Sequence, residues 1–315
     1  MSRGKVAIIG SGLVGTNWAT IFSSGGYEVQ LFDVNENQLH VALKNVAKNL
    51  KLLNENGLNR GSCNDVEALK YVSITLDLQT ALENAIYVQE STVENVEFRR
   101  VFYQKIDYFL GPETIVASSS STIPALKFTE HLKNRDRYLI AHPVNPPLYL
   151  TLTEVVPAPW TKPEAVRKTV DILKAVGQKP VLLKREIEGF AVNRLQFALL
   201  VESWNLIADD VISAEDLDVV MSAGLGPRYA FQGPLETIHL NANGVRDYFN
   251  RYANGLRKVT ADFKPIPDFR DEGIIGKIEE SLEGRKPSNS IAEWQLEREK
   301  LLLELAKLKK GLEKN

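Results

Sequence analysis

Lys5-Val-Ala-Ile-Ile9 is a short, β-branched apolar run, and Gly10-Ser-Gly12-Leu-Val-Gly15 follows it without a gap. A helix-like stretch then extends from Val14 to about Ser24, and a second strand-like run, Glu28-Val-Gln-Leu-Phe32, ends at Asp33. An apolar run of this length reads as a buried parallel strand. The three glycines have separate tasks. Gly10 permits a tight turn, Gly12 lets the backbone approach a pyrophosphate, and Gly15 allows helix and strand to pack closely. The helix start adds free N–H groups and a positive dipole end, which favour phosphate. This order restricts the first 33 residues to a dinucleotide-binding βαβ unit. Asp33 chooses among dinucleotides: its carboxylate accepts from the adenosine ribose hydroxyls and repels the extra phosphate of NADP, so NAD is the expected cofactor. FAD shares the fingerprint and stays a minor alternative at this point.

Further strand-like segments lie at 71–75, 85–89, 113–118, 138–142, 150–156 and 180–183, with helical patterns at 36–56, 93–109, 124–132 and 162–176 between most of them. Such alternation predicts an α/β fold, a Rossmann-type doubly wound and mostly parallel sheet, followed by an all-α C-terminal domain. The expected boundaries are 1–187 for the NAD-binding domain and 188–315 for the helical one. Ligands on such sheets bind at the carboxyl ends of the strands. Those ends carry Glu90-Ser-Thr-Val-Glu94-Asn95, four serines from Ser118 to Ser121, and His142-Pro-Val-Asn145-Pro-Pro147.

His142 is the one of four histidines placed at a strand end. An imidazole is suited to taking a proton from an alcohol near neutral pH. Glu154 lies in the next apolar strand, where an unpaired carboxylate would be costly. If the two side chains met, the carboxylate would fix the ring's tautomer and stabilise the imidazolium, as in nucleophilic triads. A structural histidine beside a separately paired acid is the alternative, and sequence alone leaves both open.

Beyond Glu188 the chain reads as helix. The stretch 190–207 is apolar on nearly every face, which predicts burial between domains or subunits, with Asn193 and Arg194 as polar exceptions. Gly224-Leu-Gly-Pro-Arg228 to Pro234 is either a glycine-rich connector or a substrate-facing loop whose Arg228 pairs with a carboxylate. Ser213 and Asp216 look like the start of a capped helix. In the tail, Trp294, Leu301, Leu305, Leu308 and Leu312 are expected to pack on the domain or on a second subunit.

The formal charge of −2 gives no footing for nucleic acid. No apolar run approaches the ~20 residues that span a bilayer. Cys63 is the only cysteine, so no intrachain disulfide can form. Met1 to Lys5 leads directly into a strand, with no room for a targeting peptide. A cytoplasmic protein with a small-molecule substrate, no nucleic-acid or membrane partner and no metal is therefore expected.

Along its whole length the chain resembles the L-3-hydroxyacyl-CoA dehydrogenase superfamily, in its lambda-crystallin / L-gulonate 3-dehydrogenase branch. The resemblance is carried by residues 8–15, 89–95, 118–121, 142–147, Gly189-Phe-Ala-Val-Asn-Arg194 and Gly226-Pro-Arg-Tyr-Ala-Phe-Gln-Gly-Pro-Leu-Glu236. It implies a catalytic His142 paired with Glu154, with Ser121 and Asn193 on the substrate's C3 oxygen and Asn145 and Arg228 also on the substrate side. It places NAD contacts on Gly12, Leu13, Val14, Asp33, Glu94 and Arg99, with the nicotinamide near Ser118 and Ser119. It also implies a homodimer formed through the helical domain. Ser119 stands where the acyl-CoA enzymes commonly have asparagine, Arg99 where a lysine is expected, and Pro143 where an aromatic is usual. Pro143 and Arg228 point towards a compact free acid, with gulonate, carnitine, 3-hydroxybutyrate and 3-hydroxypropionate equally compatible. The implied reaction is NAD-dependent oxidation of a 3-hydroxyl, most simply L-gulonate to 3-dehydro-L-gulonate. The alternatives are a 3-hydroxyacyl-CoA substrate or a non-catalytic, crystallin-like NAD-binding protein.

Overall fold

The structure is a computed structural model and describes residues 2–313. Among these, strands β1 (Lys5–Ile9), β2 (Glu28–Phe32), β3 (Val72–Thr75), β4 (Ala85–Glu90), β5 (Ile115–Ser118), β6 (Tyr138–Pro143), β7 (Leu152–Pro157) and β8 (Lys179–Leu182) form one sheet in the order β3-β2-β1-β4-β5-β6-β7-β8. All neighbours are parallel except β6 and β7, which run antiparallel. This is the doubly wound Rossmann order with two strands added at one edge.

Alternation along β1 explains why the first strand has to be apolar throughout. Val6 and Ile8 enter the core on one face with Trp18, Phe22 and Leu39, while Ala7 and Ile9 enter the other with Tyr103 and Phe128. The helices that cover these faces include α1 (Leu13–Ser24), α2 (Glu36–Glu55), α3 (Val96–Phe109) and α4 (Pro163–Ala175).

The chain divides into two compact units, one comprising the described residues up to Asn193 together with those from Glu297 onward, the other Arg194–Leu296. The expected boundary at 187/188 put the whole tail with the helical domain. The tail instead returns to the first unit through the last helix, α7 (Ile291–Leu312). Leu302, Leu303 and Ala306 pack on the sheet-side core, and Lys310 Nζ donates to Gly57 O at 2.7 Å. Leu301, Leu308 and Leu312, expected to pack on the domain or on a second subunit, are exposed on the single chain.

In the second unit, α5 (Val192–Ala208), which begins in the first, and α6 (Val245–Thr260) are the main helices. The apolar faces of α5 are not buried within the chain: Leu195 is 65% exposed, and Phe197, Leu199 and Leu200 are about half exposed. Ser213 caps its helix as expected, accepting from Asp216 N at 3.0 Å. The stretch expected as a glycine-rich loop is instead helical, with a π-helical segment at Val220–Leu225 and a short α-helix at Gly226–Tyr229. The Pro in Gly226-Pro-Arg sits in that helix's first turn, where its missing N–H costs nothing.

In the first unit, Glu186 lies in the connection between β8 and α5. Its Oε1 accepts from Leu126 N at 3.2 Å, while Oε2 is buried without a partner. Burial pushes this carboxyl up to about 7, against backbone hydrogen bonds that favour the anion. The folded state therefore holds a proton that the unfolded chain releases near pH 4.5. Its stabilising contribution is complete below that pH and is lost as pH rises through about 7. Because the group is partly exposed, the loss should be on the order of 1–2 kcal/mol. Urea titrations of the wild type and Glu186→Gln between pH 4.5 and 8 should diverge by that amount; parallel curves would exclude a proton held at this site.

Candidate active site

The site begins at the turn between β1 and α1. Gly10 has φ +96°, and a Cβ on Gly15 would stand 1.8 Å from Gly10 O, so neither position admits a side chain. A Cβ on Gly12 would meet nothing within 4 Å, which leaves open space ahead of the helix. Gly12 is the N-cap of α1 and supplies no side-chain cap, so the first-turn N–H groups at Leu13, Val14 and Gly15 remain free for a phosphate. Asp33, at the end of β2, accepts from Ser11 N at 2.8 Å and Ser11 Oγ at 2.7 Å on Oδ2, and from Asn35 N at 3.1 Å on Oδ1. One acceptor lobe remains on Oδ1 for a ribose hydroxyl. These residues fit a dinucleotide. A cavity of about 310 Å³ runs from Ser11 and Gly12 to Pro146 and Tyr149, in the loop behind His142.

His142 and Glu154 are direct cross-strand partners in the antiparallel pair, and Nδ1 lies 2.9 Å from Glu154 Oε2. Glu154 is 1% exposed. Burial pushes its carboxyl up, but hydrogen bonds from His142, Val192 N and Ala191 N outweigh that and hold it below the usual carboxylate range. It is therefore an anion that only accepts, so Nδ1 carries the hydrogen and a neutral ring keeps its lone pair on Nε2. Oε1 accepts from Ala191 N at 2.8 Å and Val192 N at 3.0 Å, where α5 begins. Phe190, fully buried with φ +49°, walls the imidazole at a ring separation of 5.8 Å.

The next residue ties this pair to the serines. Asn193 Nδ2 donates to Ser121 O at 2.7 Å, and Ser121 N donates to Glu94 Oε1 at 3.0 Å. Glu94 Oε1 also accepts from Ser120 Oγ at 2.7 Å and Thr122 N at 3.2 Å. Within the first unit, His142 and Glu154 form one hydrogen-bonded group and Asn193, Ser121 and Glu94 another, joined through the backbone of residues 191–193. In the latter group Asn193 holds the backbone of the serine loop, and its second amide hydrogen and carbonyl remain available.

Arg99 was expected among the NAD contacts and is not placed to make one. It is 1% exposed, on the inner face of α3, where Nη2 meets Glu94 Oε2 at 2.8 Å and Nε lies 3.7 Å from Glu90 Oε2. A guanidinium between two carboxylates is drawn inward, where no cofactor reaches it. Glu90 is a residue that sequence reasoning missed. Fully buried at the end of β4, it accepts from Thr92 N at 2.6 Å, from the Thr92 hydroxyl, from Ser118 Oγ at 2.6 Å and from Tyr103 Oη at 2.7 Å. The signal for it was an acid at the end of a buried, mostly apolar strand, Ala85-Ile-Tyr-Val-Gln-Glu90.

Ser119, expected to touch the cofactor, has its hydroxyl engaged by Trp18 Nε1, Gln89 Nε2 and Ser91 Oγ at 3.2, 2.7 and 2.9 Å. Asn145 is exposed beside the buried Pro146. Arg228 is an exposed residue of the second unit, with no ion-pair partner among the described residues.

A Rossmann sheet with this glycine turn and a strand-end His–Glu pair defines the class of NAD-dependent dehydrogenases. Residues 5–187 match the family model for the 3-hydroxyacyl-CoA dehydrogenase NAD binding domain, and residues 189–266 match that for the 3-hydroxyacyl-CoA dehydrogenase C-terminal domain. The chain belongs to the 3-hydroxyacyl-CoA dehydrogenase family. The lambda-crystallin homolog of Bos taurus is 42% identical over 311 residues, 98% of this chain and 97% of that protein, in keeping with the lambda-crystallin branch. A 3-hydroxyacyl-CoA dehydrogenase of Gibberella moniliformis is 35% identical over 247 residues, 78% of this chain and 75% of that one. Among solved structures, 5-formyl-3-hydroxy-2-methylpyridine 4-carboxylic acid 5-dehydrogenase, an NAD+ dependent dismutase, has a TM-score of 0.85 and 28% identity across 99% of both chains.

The buried position of Arg99 separates two roles experimentally. Arg99→Met leaves Glu90 buried without a counter-charge and should cost about 3–5 kcal/mol of unfolding free energy in urea. A variant of unchanged stability with a raised KM for NAD would return Arg99 to the cofactor surface.

Proposed function

We propose that this dehydrogenase oxidises the 3-hydroxyl of a small free hydroxy acid in the cytoplasm, with L-gulonate to 3-dehydro-L-gulonate as its reaction. The observation that carries the chemistry is the 2.9 Å bond between His142 Nδ1 and Glu154 Oε2. With Nδ1–H committed to the carboxylate, Nε2 is the base that takes the C3 hydroxyl proton, and the imidazolium is stabilised by a carboxylate that stays ionised. Ser121 and the free amide hydrogen of Asn193 steady the C3 oxygen, and the backbone of Ser121 is itself clamped by Asn193 and Glu94. Bound NAD supplies the acceptor for the hydride that leaves C3. Arg228, whose guanidinium is exposed and unpaired among the described residues, is assigned to the substrate carboxylate. A free acid is further supported by the structural relative at 0.85, whose named substrate is itself a small carboxylic acid.

The test is initial NADH production with L-gulonate, DL-3-hydroxybutyrate, L-carnitine and 3-hydroxybutyryl-CoA. L-gulonate should be preferred, and His142→Gln should lower turnover by about 10²–10⁴-fold while NAD still binds. Preference for the thioester would assign the chain to acyl-CoA chemistry, and no turnover on any of the four would favour a binding or structural role.

A homodimer is part of the same proposal. Val245, Phe249, Tyr252, Leu256 and Val259 make an i, i+3/i+4 stripe along α6, and all five are exposed, as are Leu195, Leu199 and Leu200 of α5. Apolar surface of this extent on one unit marks an association face. Sedimentation should give twice the 35.3 kDa of the chain, and Phe249→Glu should shift it towards one. A monomeric wild type at micromolar concentration would refute the assembly.

A further inference from the structure

Ser119 has three polar neighbours, and their chemistry fixes which way its proton points. Trp18 Nε1 at 3.2 Å can only donate. Gln89 Nε2 at 2.7 Å is also a donor, because the same nitrogen faces the acceptor Ala141 O at 3.1 Å while the amide oxygen accepts from Tyr87 Oη at 2.8 Å. A hydroxyl has two acceptor lobes and one proton. Both lobes of Ser119 are filled from the protein interior, so its proton goes to Ser91 Oγ, 2.9 Å away. The Ser91 proton then has no acceptor among the described residues and is directed away from Ser119.

The backbone places that hydroxyl beside the cofactor turn. Ser91 N donates to Ile9 O at 2.7 Å, and Ser91 O lies 2.6 Å from where a Cβ on Gly10 would stand. In the sheet, Asp33 follows β2, Gly10 follows β1, Ser91 follows β4, Ser119 follows β5 and His142 is the next-to-last residue of β6. A dinucleotide held by its adenosine end at Asp33 and delivering its reactive ring towards His142 crosses β4 beyond the pyrophosphate turn. We propose that Ser91, oriented as an obligate donor by Ser119, Gln89 and Trp18, hydrogen-bonds an acceptor oxygen on the nicotinamide-ribose half of NAD. Ser119 is then a positioning residue whose own hydroxyl never reaches the cofactor. This extends the NAD assignment and rests on it.

The discriminating pair is Ser91→Thr and Ser91→Val, which share a shape and differ only in the hydroxyl, so any folding cost of branching is common to both. NADH and ADP affinities are measured by calorimetry on the full chain, with the melting temperature of each unliganded variant. Ser91→Val should bind NADH about five- to tenfold more weakly than Ser91→Thr, the loss of one hydrogen bond, and the two should bind ADP alike. Equal NADH affinities would overturn the proposal, as would an equal loss on ADP, which would move the contact off the nicotinamide half. A wild type that bound no NADH would instead defeat the cofactor assignment itself. Trp18→Phe frees one lobe of Ser119, lets Ser91 turn inward, and should weaken NADH binding about two- to threefold without touching the cofactor surface.

Discussion

The single antiparallel pairing in the sheet is the constraint on which the site depends. Because β7 runs against β6, Glu154 stands directly opposite His142 on the same face, at the close spacing where cross-strand side chains interact. A slip of one residue would send the carboxylate to the other face and leave the imidazole unsupported. The same carboxylate reaches in a second direction, taking the N–H groups of Ala191 and Val192 where α5 starts. A charge this deeply buried is tolerated because three hydrogen bonds engage both its oxygens, and those same bonds keep it ionised. One side chain thus sets the proton address on His142 and fixes the segment that delivers Asn193.

The serine loop has a second electrostatic support. Glu90 and Glu94 face each other across the Arg99 guanidinium, and between them they engage Ser118, Ser120, Ser121, Thr92 and Thr122. Glu94 is held below the usual carboxylate range: burial raises it, but Arg99 and the loop's hydrogen bonds together exceed that. Loops that carry chemistry need a rigid base, and here the base is charged rather than apolar. The arrangement is intolerant of losing one member, since a buried charge without its counterpart costs far more than the pair contributes. Strand ends rich in Ser and Thr supply the short donors that such carboxylates require.

Much of this was legible in the chain. The central strands could be found because β1, β5 and β6 are buried on both faces and so read as compact apolar runs, and the glycine turn because its backbone geometry excludes side chains at Gly10 and Gly15. An acid in the apolar strand β7 had to find a partner, but the residues alone left that partner open, and it is the antiparallel register that supplies His142. Arg99 was placed at the cofactor by the resemblance alone, with no signal of its own in the residues around it. Only the packing shows its helix turning that face inward, towards Glu90. The tail leucines were expected to pack on the domain or on a second subunit; within the chain the core accepts Leu302, Leu303 and Ala306, so that contact is set by the receiving surface and not by the helix's own pattern. The π-helical segment at Val220–Leu225 left no trace in the sequence, since its Gly224 and the Gly226-Pro227 that follow it have the same signature in a loop.

Ser119 carries the last consequence of this arrangement. An asparagine there, as the acyl-CoA enzymes commonly have, would bring its own donors and an independent orientation. A serine has a single proton, and two interior donors already dictate where it points. The exchange converts a self-sufficient amide into a relay whose output is decided by Trp18 and Gln89, residues set in the core by α1 and β4. Hydrogen-bond direction is a property that neither burial nor distance reports on its own. It emerges only when every partner's donor and acceptor capacity is counted. By that count the polarity of the cleft at β4 is decided in the core beneath it, before any ligand arrives.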